Sequence, residues 1–283
     1  MKRALLQSNT LTDNISQCAN SVVCMKKTLP ILISILTIIS SCSSSFHIEG
    51  TSDVSSLDGQ QLFLKVINNQ TVRNVDSCNV VHGKFTFDGV MDSVSMASIC
   101  TETSNLMPVV IESGEIKVQI SSRGASSASG TTMNDELYRF LNTYDKLQMQ
   151  SLELIRKHDQ AIMAGSDMSI VNKQINDEYI LINQRVDSLI TTFISNNFDN
   201  VLGPGVFMIL TSAYEYPVFT PWIDDLVSKA PTYFKNDPYV KAYLHDAQRI
   251  QNIQNGLEEL PQSPNNQAAM QQAPIQQPVE AQP

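Results

Sequence analysis

The stretch Ser121-Ser122-Arg123-Gly124-Ala125-Ser126-Ser127-Ala128-Ser129-Gly130 divides the chain into halves of different periodicity. Its small and polar residues mark a boundary. Before it, Phe85 and Phe87 alternate with Lys84, Thr86 and Asp88, which places both rings on one face of a strand. Further strand signals are Phe46-His47-Ile48, Leu62 to Val66, Val109-Val110-Ile111 and Ile116 to Ile120. Turn residues fall between them at Asp58-Gly59, Asn68-Asn69, His82-Gly83, Asp88-Gly89 and Ser113-Gly114. That spacing is the mark of an antiparallel sandwich or barrel rather than of βαβ units.

After the boundary the period lengthens to about 3.6. Leu137, Phe140, Leu141, Tyr144, Leu147, Leu152 and Ile155 form one stripe, following a capping residue near Thr132 or Asn134. Gly165-Ser166-Asp167 resets the chain, and Met168, Val171, Ile175, Ile182, Val186, Leu189 and Phe193 trace a second stripe. Two long helices in an antiparallel hairpin are expected. Gly203-Pro204-Gly205 is read as the end of that hairpin, with a short apolar helix from Val206 to about Ala213. Thr220-Pro221 and Asp237-Pro238 each set a capping side chain before a proline at the first helical position, so two more helices should begin there. The expected fold class is α+β, an N-terminal antiparallel β-sandwich over residues 46–121 followed by a C-terminal α-helical domain over residues 131–255. The Gln- and Pro-rich residues 256–283 cannot bury enough apolar surface to offset their entropy, and read as a disordered tail.

Upstream of the strands, Met25-Lys26-Lys27 is a short basic start and Leu29 to Ile39 an apolar run. That order reads as a signal peptide over residues 25–41. The run is shorter than the roughly 18 residues that cross a bilayer. Its end, Ile39-Ser40-Ser41-Cys42, resembles the lipobox of bacterial lipoproteins. The resemblance implies that Cys42 is diacylated, palmitate being one such chain, and that residues 42–45 are lipidated cysteine and spacer. Two acyl chains anchor stably, because each buried methylene adds about 0.8 kcal/mol. Residues 1–24 fit no signal and read as a mis-assigned start or a disordered segment. Ser43 is not the aspartate that retains some lipoproteins in the inner membrane, so the expected site is the cell envelope, on the outer membrane facing the periplasm.

Downstream of the cleavage point, 15 basic and 27 acidic residues give a charge of −12. Phosphate binding rests on clustered Lys and Arg, so no nucleic-acid partner is expected. There is no Gly-x-Ser-x-Gly, phosphate loop or His-Glu-x-x-His. His47, His82, His158 and His245 stand singly, without metal-ligand spacing. No catalytic residue, metal or cofactor is therefore assigned. Asp224-Asp225 suits a helix N-terminus, and Glu112 and Glu115 flank a turn. Cys78 and Cys100 admit two readings: a disulfide contributing roughly 3 kcal/mol through loop closure, or two buried free thiols. Their spacing lacks the Cys-x-x-Cys geometry of a redox pair. Tyr214, Tyr216, Phe219 and Trp222, interleaved with Pro217 and Pro221, could form a ligand platform, but the favoured reading is a plug between the third and fourth helices.

The stretch from Phe46 to Leu141 also carries a family resemblance. It lies in His47-Ile48-Glu49-Gly50, Val75-Asp76-Ser77, His82-Gly83-Lys84-Phe85-Thr86-Phe87-Asp88-Gly89, Ile111 to Ile116, and Ser129-Gly130-Thr131 with Asn134-Asp135 and Leu137. These residues resemble the domain of unknown function 4369 family, which precedes thioredoxin-like domains in lipoprotein thiol:disulfide oxidoreductases of Bacteroidota. The thioredoxin fold and its Cys-x-x-Cys pair have no counterpart in this sequence. The expected role is that of a lipid-anchored envelope protein that binds rather than catalyses. Its partner is a membrane, through the lipid. Two narrower roles are a docking or regulatory subunit for a separate thioredoxin-like envelope oxidoreductase, and a glycan- or peptide-binding surface lipoprotein.

Overall fold

The computed structural model describes residues 44–68 and 71–258. The segment read as a signal, Cys42, residues 1–24 and the tail from residue 259 lie outside the described residues. Among those described, no helix is long and apolar enough to cross a membrane.

Eight strands come first: β1 (Ser44–Ser52), β2 (Gln61–Asn68), β3 (Thr71–Asn79), β4 (Lys84–Met91), β5 (Ser95–Cys100), β6 (Asn105–Ile111), β7 (Gly114–Ile120) and β8 (Ser127–Ser129). They form two four-stranded sheets, ordered β4-β1-β7-β8 and β3-β2-β5-β6. The α+β layout with an N-terminal sandwich is as expected. Period-two alternation makes the core: on β7, Ile116, Val118 and Ile120 point inward while Glu115, Lys117 and Gln119 are exposed. Ile48, Leu62, Leu64, Phe87, Ile99 and Ile116 are fully buried.

One pair departs from the antiparallel expectation, since β1 and β7 run parallel, with Ile48 opposite Ile116. Parallel neighbours need a long crossover. Here the chain makes it by passing through the second sheet twice between those strands. Three strands escaped the sequence reading, and each lacks the apolar alternation that marked the others. β3 is an edge strand, and β8 lies inside the small-residue stretch taken as a boundary. The third, β5, is central but built of Ser95-Met96-Ala97-Ser98-Ile99-Cys100.

Six helices follow: α1 (Thr132–Met163), α2 (Met168–Asn196), α3 (Leu202–Thr211), α4 (Pro221–Lys229), α5 (Thr232–Lys235) and α6 (Pro238–Gln254). The hairpin of α1 and α2 turns where expected, and the Asp167 carboxylate caps α2 by accepting from the Ser169 N–H at 2.9 Å. Asp237 caps α6 in the same way, accepting from Tyr239 and Val240. Thr220 does not cap α4; its hydroxyl is buried without a partner among the described residues.

The start of α3 corrects the sequence reading. Gly203-Pro204-Gly205 does not precede that helix but forms its first turn. A proline is tolerated there because the first-turn N–H groups have no intrahelical partner. The glycines answer to packing: a Cβ on Gly203 would lie 2.3 Å from the Asn197 carbonyl oxygen, and one on Gly205 2.4 Å from the Met96 Cε. Gly205 thus lets α3 close onto β5. The buried core runs without a break from Ile48 through Leu137 and Phe207 to Val240.

Candidate functional site: a cleft between sandwich and helices

The helices are held to the sandwich by a joint at the start of α1. Asn134 is completely buried there. Its side-chain oxygen accepts from the Val110 N–H at 2.9 Å, and its amide donates to the Val110 carbonyl at 2.8 Å and to the Thr131 hydroxyl at 2.9 Å. Strand β6 is a sheet edge, so Asn134 takes the place of the missing neighbouring strand. Tyr138 adds a 2.7 Å hydrogen bond to the Pro108 carbonyl on the same strand. Burial pushes the Tyr138 hydroxyl far above its ordinary pKa. Glu112, which the sequence offered as ordinary, is the true cap of α1: its carboxylate accepts from the Met133 and Asn134 N–H groups at 2.9 and 3.1 Å. Asp135 reaches back to the Gly130 N–H at 3.1 Å. Gly130 has φ +99°, and a Cβ there would lie 2.7 Å from the Glu115 carbonyl oxygen.

A cleft of about 700 Å³ lies between the second sheet and helices α3, α5 and α6. Its floor is Met96 and Gly205, where β5 meets α3. Aromatic rings wall it: Tyr233 and Phe234 from α5, and Tyr239 and Tyr243 from α6. Phe207 lies behind them, with ring centres 6.1 Å from Phe234, 6.3 Å from Tyr239 and 5.2 Å from Tyr243. The Tyr239 hydroxyl is held by Thr211 at 3.1 Å and the Tyr243 hydroxyl donates to the Val218 carbonyl, so both rings are fixed. Asp199, Asp237 and Asp246 stand among the lining residues, which include no Lys or Arg. Phe234 and Tyr243 are themselves buried, so the ring surface open to the cleft is that of exposed Tyr233 and half-buried Tyr239. The chemistry on offer is an apolar slot with a negative rim, suited to a neutral or cationic group resting on those two tyrosines.

The cluster singled out in the sequence lies beside this cleft but does not line it. Trp222 is buried, donating to the Tyr214 hydroxyl at 3.1 Å and packing edge-on against Phe207 at 5.8 Å. Phe219 and Tyr214 pack partly buried against the core, and Tyr216 alone is exposed. Trp222, Tyr214 and Phe219 therefore plug the junction ahead of α4, and Tyr216 by itself makes no platform. Two neighbours of the cluster in the fold, Tyr233 and Tyr239, form the cleft instead.

Cys78 and Cys100 are kept apart as free thiols. Cys78 lies opposite Leu62 and Cys100 opposite Phe63, adjacent residues on the strand between them. Adjacent residues face opposite sides of a sheet, and two strand spacings put the Cα atoms about 9–10 Å apart, past the roughly 7 Å that a disulfide spans. Burial pushes both thiols up, away from the reactive thiolate. His47 on β1 pairs with Asp88 on β4 at 2.5 Å, His82 is an exposed turn residue with φ +51°, and His158 meets Asn172 at 3.1 Å. His245 lies on α6 beside Asp246. Among the described residues, no three His, Cys, Asp or Glu side chains gather to hold a metal ion.

A sandwich of this topology, closed on one edge by a helix that its own buried asparagine stitches on, defines a small β-domain with a fixed helical extension. Residues 46–137 match the model described as Domain of unknown function (DUF4369). The match ends on Leu137, just past the Asn134 joint. No curated protein matches the chain. The cleft thus lies where the family domain meets helices outside the match, with Met96 from the first and Tyr239 from the second.

Proposed function

We propose that this is a lipid-anchored protein of the cell envelope that acts by binding, and that the cleft between β5 and helices α3 to α6 takes an extended segment of a partner protein. The observation that carries the reading is the cleft's composition, aromatic walls over an apolar floor with three carboxylates and no basic residue. Such a slot favours proline or aromatic side chains accompanied by Lys or Arg. The lipobox-like Ile39 to Cys42 supports the anchor, placed on the outer membrane facing the periplasm.

Calorimetric titration of the full chain with peptides rich in aromatic and basic residues tests the cleft. Binding should weaken as salt rises and fall about tenfold in the Asp199→Asn/Asp246→Asn variant, the equivalent of about 1.4 kcal/mol. Equal affinity for acidic peptides, or no change in the variant, would remove the reading. A response to glycans alone would replace it with the carbohydrate alternative. Intact-mass measurement tests the anchor, since acyl chains must be present on the native chain and lost from Cys42→Ala.

A docking role for a separate thioredoxin-like oxidoreductase is favoured by one observation. The two described thiols are held apart with raised pKa values, so thiol chemistry would belong to the partner. Co-purification that persists in Cys78→Ser/Cys100→Ser supports docking. Loss of the association in that variant would speak for chemistry by this chain.

A further inference from the structure

The outer half of the α1–α2 hairpin bears an apolar face that the fold leaves open. Leu152, Ile155 and Ile162 on α1 are 57%, 61% and 55% exposed, and Tyr179 on α2 is 49% exposed. The first three recur at helical spacing and share one side of α1. Beside the Leu152–Ile155 ridge runs a recess of about 470 Å³, closed on the far side by Ile175 and Tyr179. The charged residues beside it are mostly paired: Arg156 with Glu153, and Lys157 with Glu178 at 2.9 Å. Asp159, four residues after Ile155, interrupts the ridge and lies beside His158.

We infer that this face is a self-association surface and that its occupant is a second copy of the chain, two hairpins packing side by side as a four-helix bundle. Three observations select a copy of itself. The ridge and the recess that would receive it lie next to each other on one chain, as a two-fold interface requires. Charge permits the approach here: residues 145–185 carry five basic and six acidic side chains, net −1. The other described residues carry 10 basic and 19 acidic, net −9, and repel their like. The size also suffices. About 17 residues of α1 span about 25 Å, and two helices about 20 Å wide present about 500 Å² of flat area per copy. Two copies reach about 1,000 Å² before side-chain relief is added, the threshold for a specific contact. Two apolar ridges then fill each other's recess, in the packing of coiled-coil-like bundles.

Light scattering coupled to size exclusion on the full chain, with detergent mass subtracted, decides this. The expected result is twice the chain mass, unchanged by Gln150→Glu on the opposite side of α1 and halved by Leu152→Glu/Ile155→Glu with an unaltered circular dichroism spectrum. Should that double variant fail to fold, Tyr179→Glu from the opposite wall gives the same readout. A monomeric wild type at the highest attainable concentration overturns the inference. So does a dimer that survives both sets of substitutions, or a monomer that binds lipid vesicles through this face.

Discussion

Asn134 shows how much one side chain can hold. It satisfies both backbone groups of Val110 on an edge strand, in a place from which water is excluded. Truncation in Asn134→Ala leaves a buried N–H and a buried carbonyl unpaired, at a cost of about 2–3 kcal/mol. For a body of this size that is a drop of roughly 5–10 °C in Tm, to be read by thermal unfolding. Asn134→Asp should be no better, because a carboxylate accepts from Val110 but cannot donate to it and stands beside Glu112. A different residue sets a pH dependence. The hydrogen bond to Asp88 raises the His47 pKa, outweighing the desolvation that would lower it. A group with a raised folded pKa stabilises below its unfolded value, near 6.5, and loses that contribution as pH rises through the folded value. Tm should therefore fall as pH rises above about 6.5 in the native chain, and the fall should flatten in His47→Gln.

At the scale of elements, the two glycines of α3 separate propensity from packing. Alanine is the better helix former by about 0.8–1.0 kcal/mol. Yet a Cβ at Gly203 meets the Asn197 carbonyl, which is backbone and cannot yield, while one at Gly205 meets the end of the flexible Met96 side chain. Gly203→Ala should destabilise by more than Gly205→Ala in urea unfolding, whereas both would stabilise by similar amounts if propensity governed. Helix α1 has a comparable dual status. Its first turns belong to the sandwich, sealing the β6 edge and packing on β8, and its outer turns belong to the hairpin.

The whole molecule is acidic, and the two proposed roles divide by where that charge is placed. The cleft concentrates carboxylates against aromatic rings, whereas the hairpin nearly cancels its own charge. In the proposed readings a cationic segment goes to the first and a second copy to the second. If both readings hold, peptide binding and dimer formation are independent. Asp199→Asn/Asp246→Asn should leave the light-scattering mass unchanged, and Leu152→Glu/Ile155→Glu should leave peptide affinity within twofold. Trp222 lies one ring, Phe207, behind the cleft wall, so its emission should shift on cleft occupancy and not on dimer dissociation.

The amino-acid sequence by itself determined the class of each half, because period two in Phe85 and Phe87 and period 3.6 from Leu137 onward are local consequences of burying one face of an element. It also determined the hairpin turn at Gly165 and the Asp237 cap, which depend on neighbours in the chain. Only the tertiary structure decided the cleft, the Asn134 joint, the Glu112 cap, the separation of Cys78 from Cys100 and the fate of the Trp222 cluster. Each of those is a relation between residues far apart in sequence. Whether an aromatic ring is a wall or a plug, or a glutamate an exposed charge or a helix cap, depends on what the fold brings against it, and no local pattern encodes that.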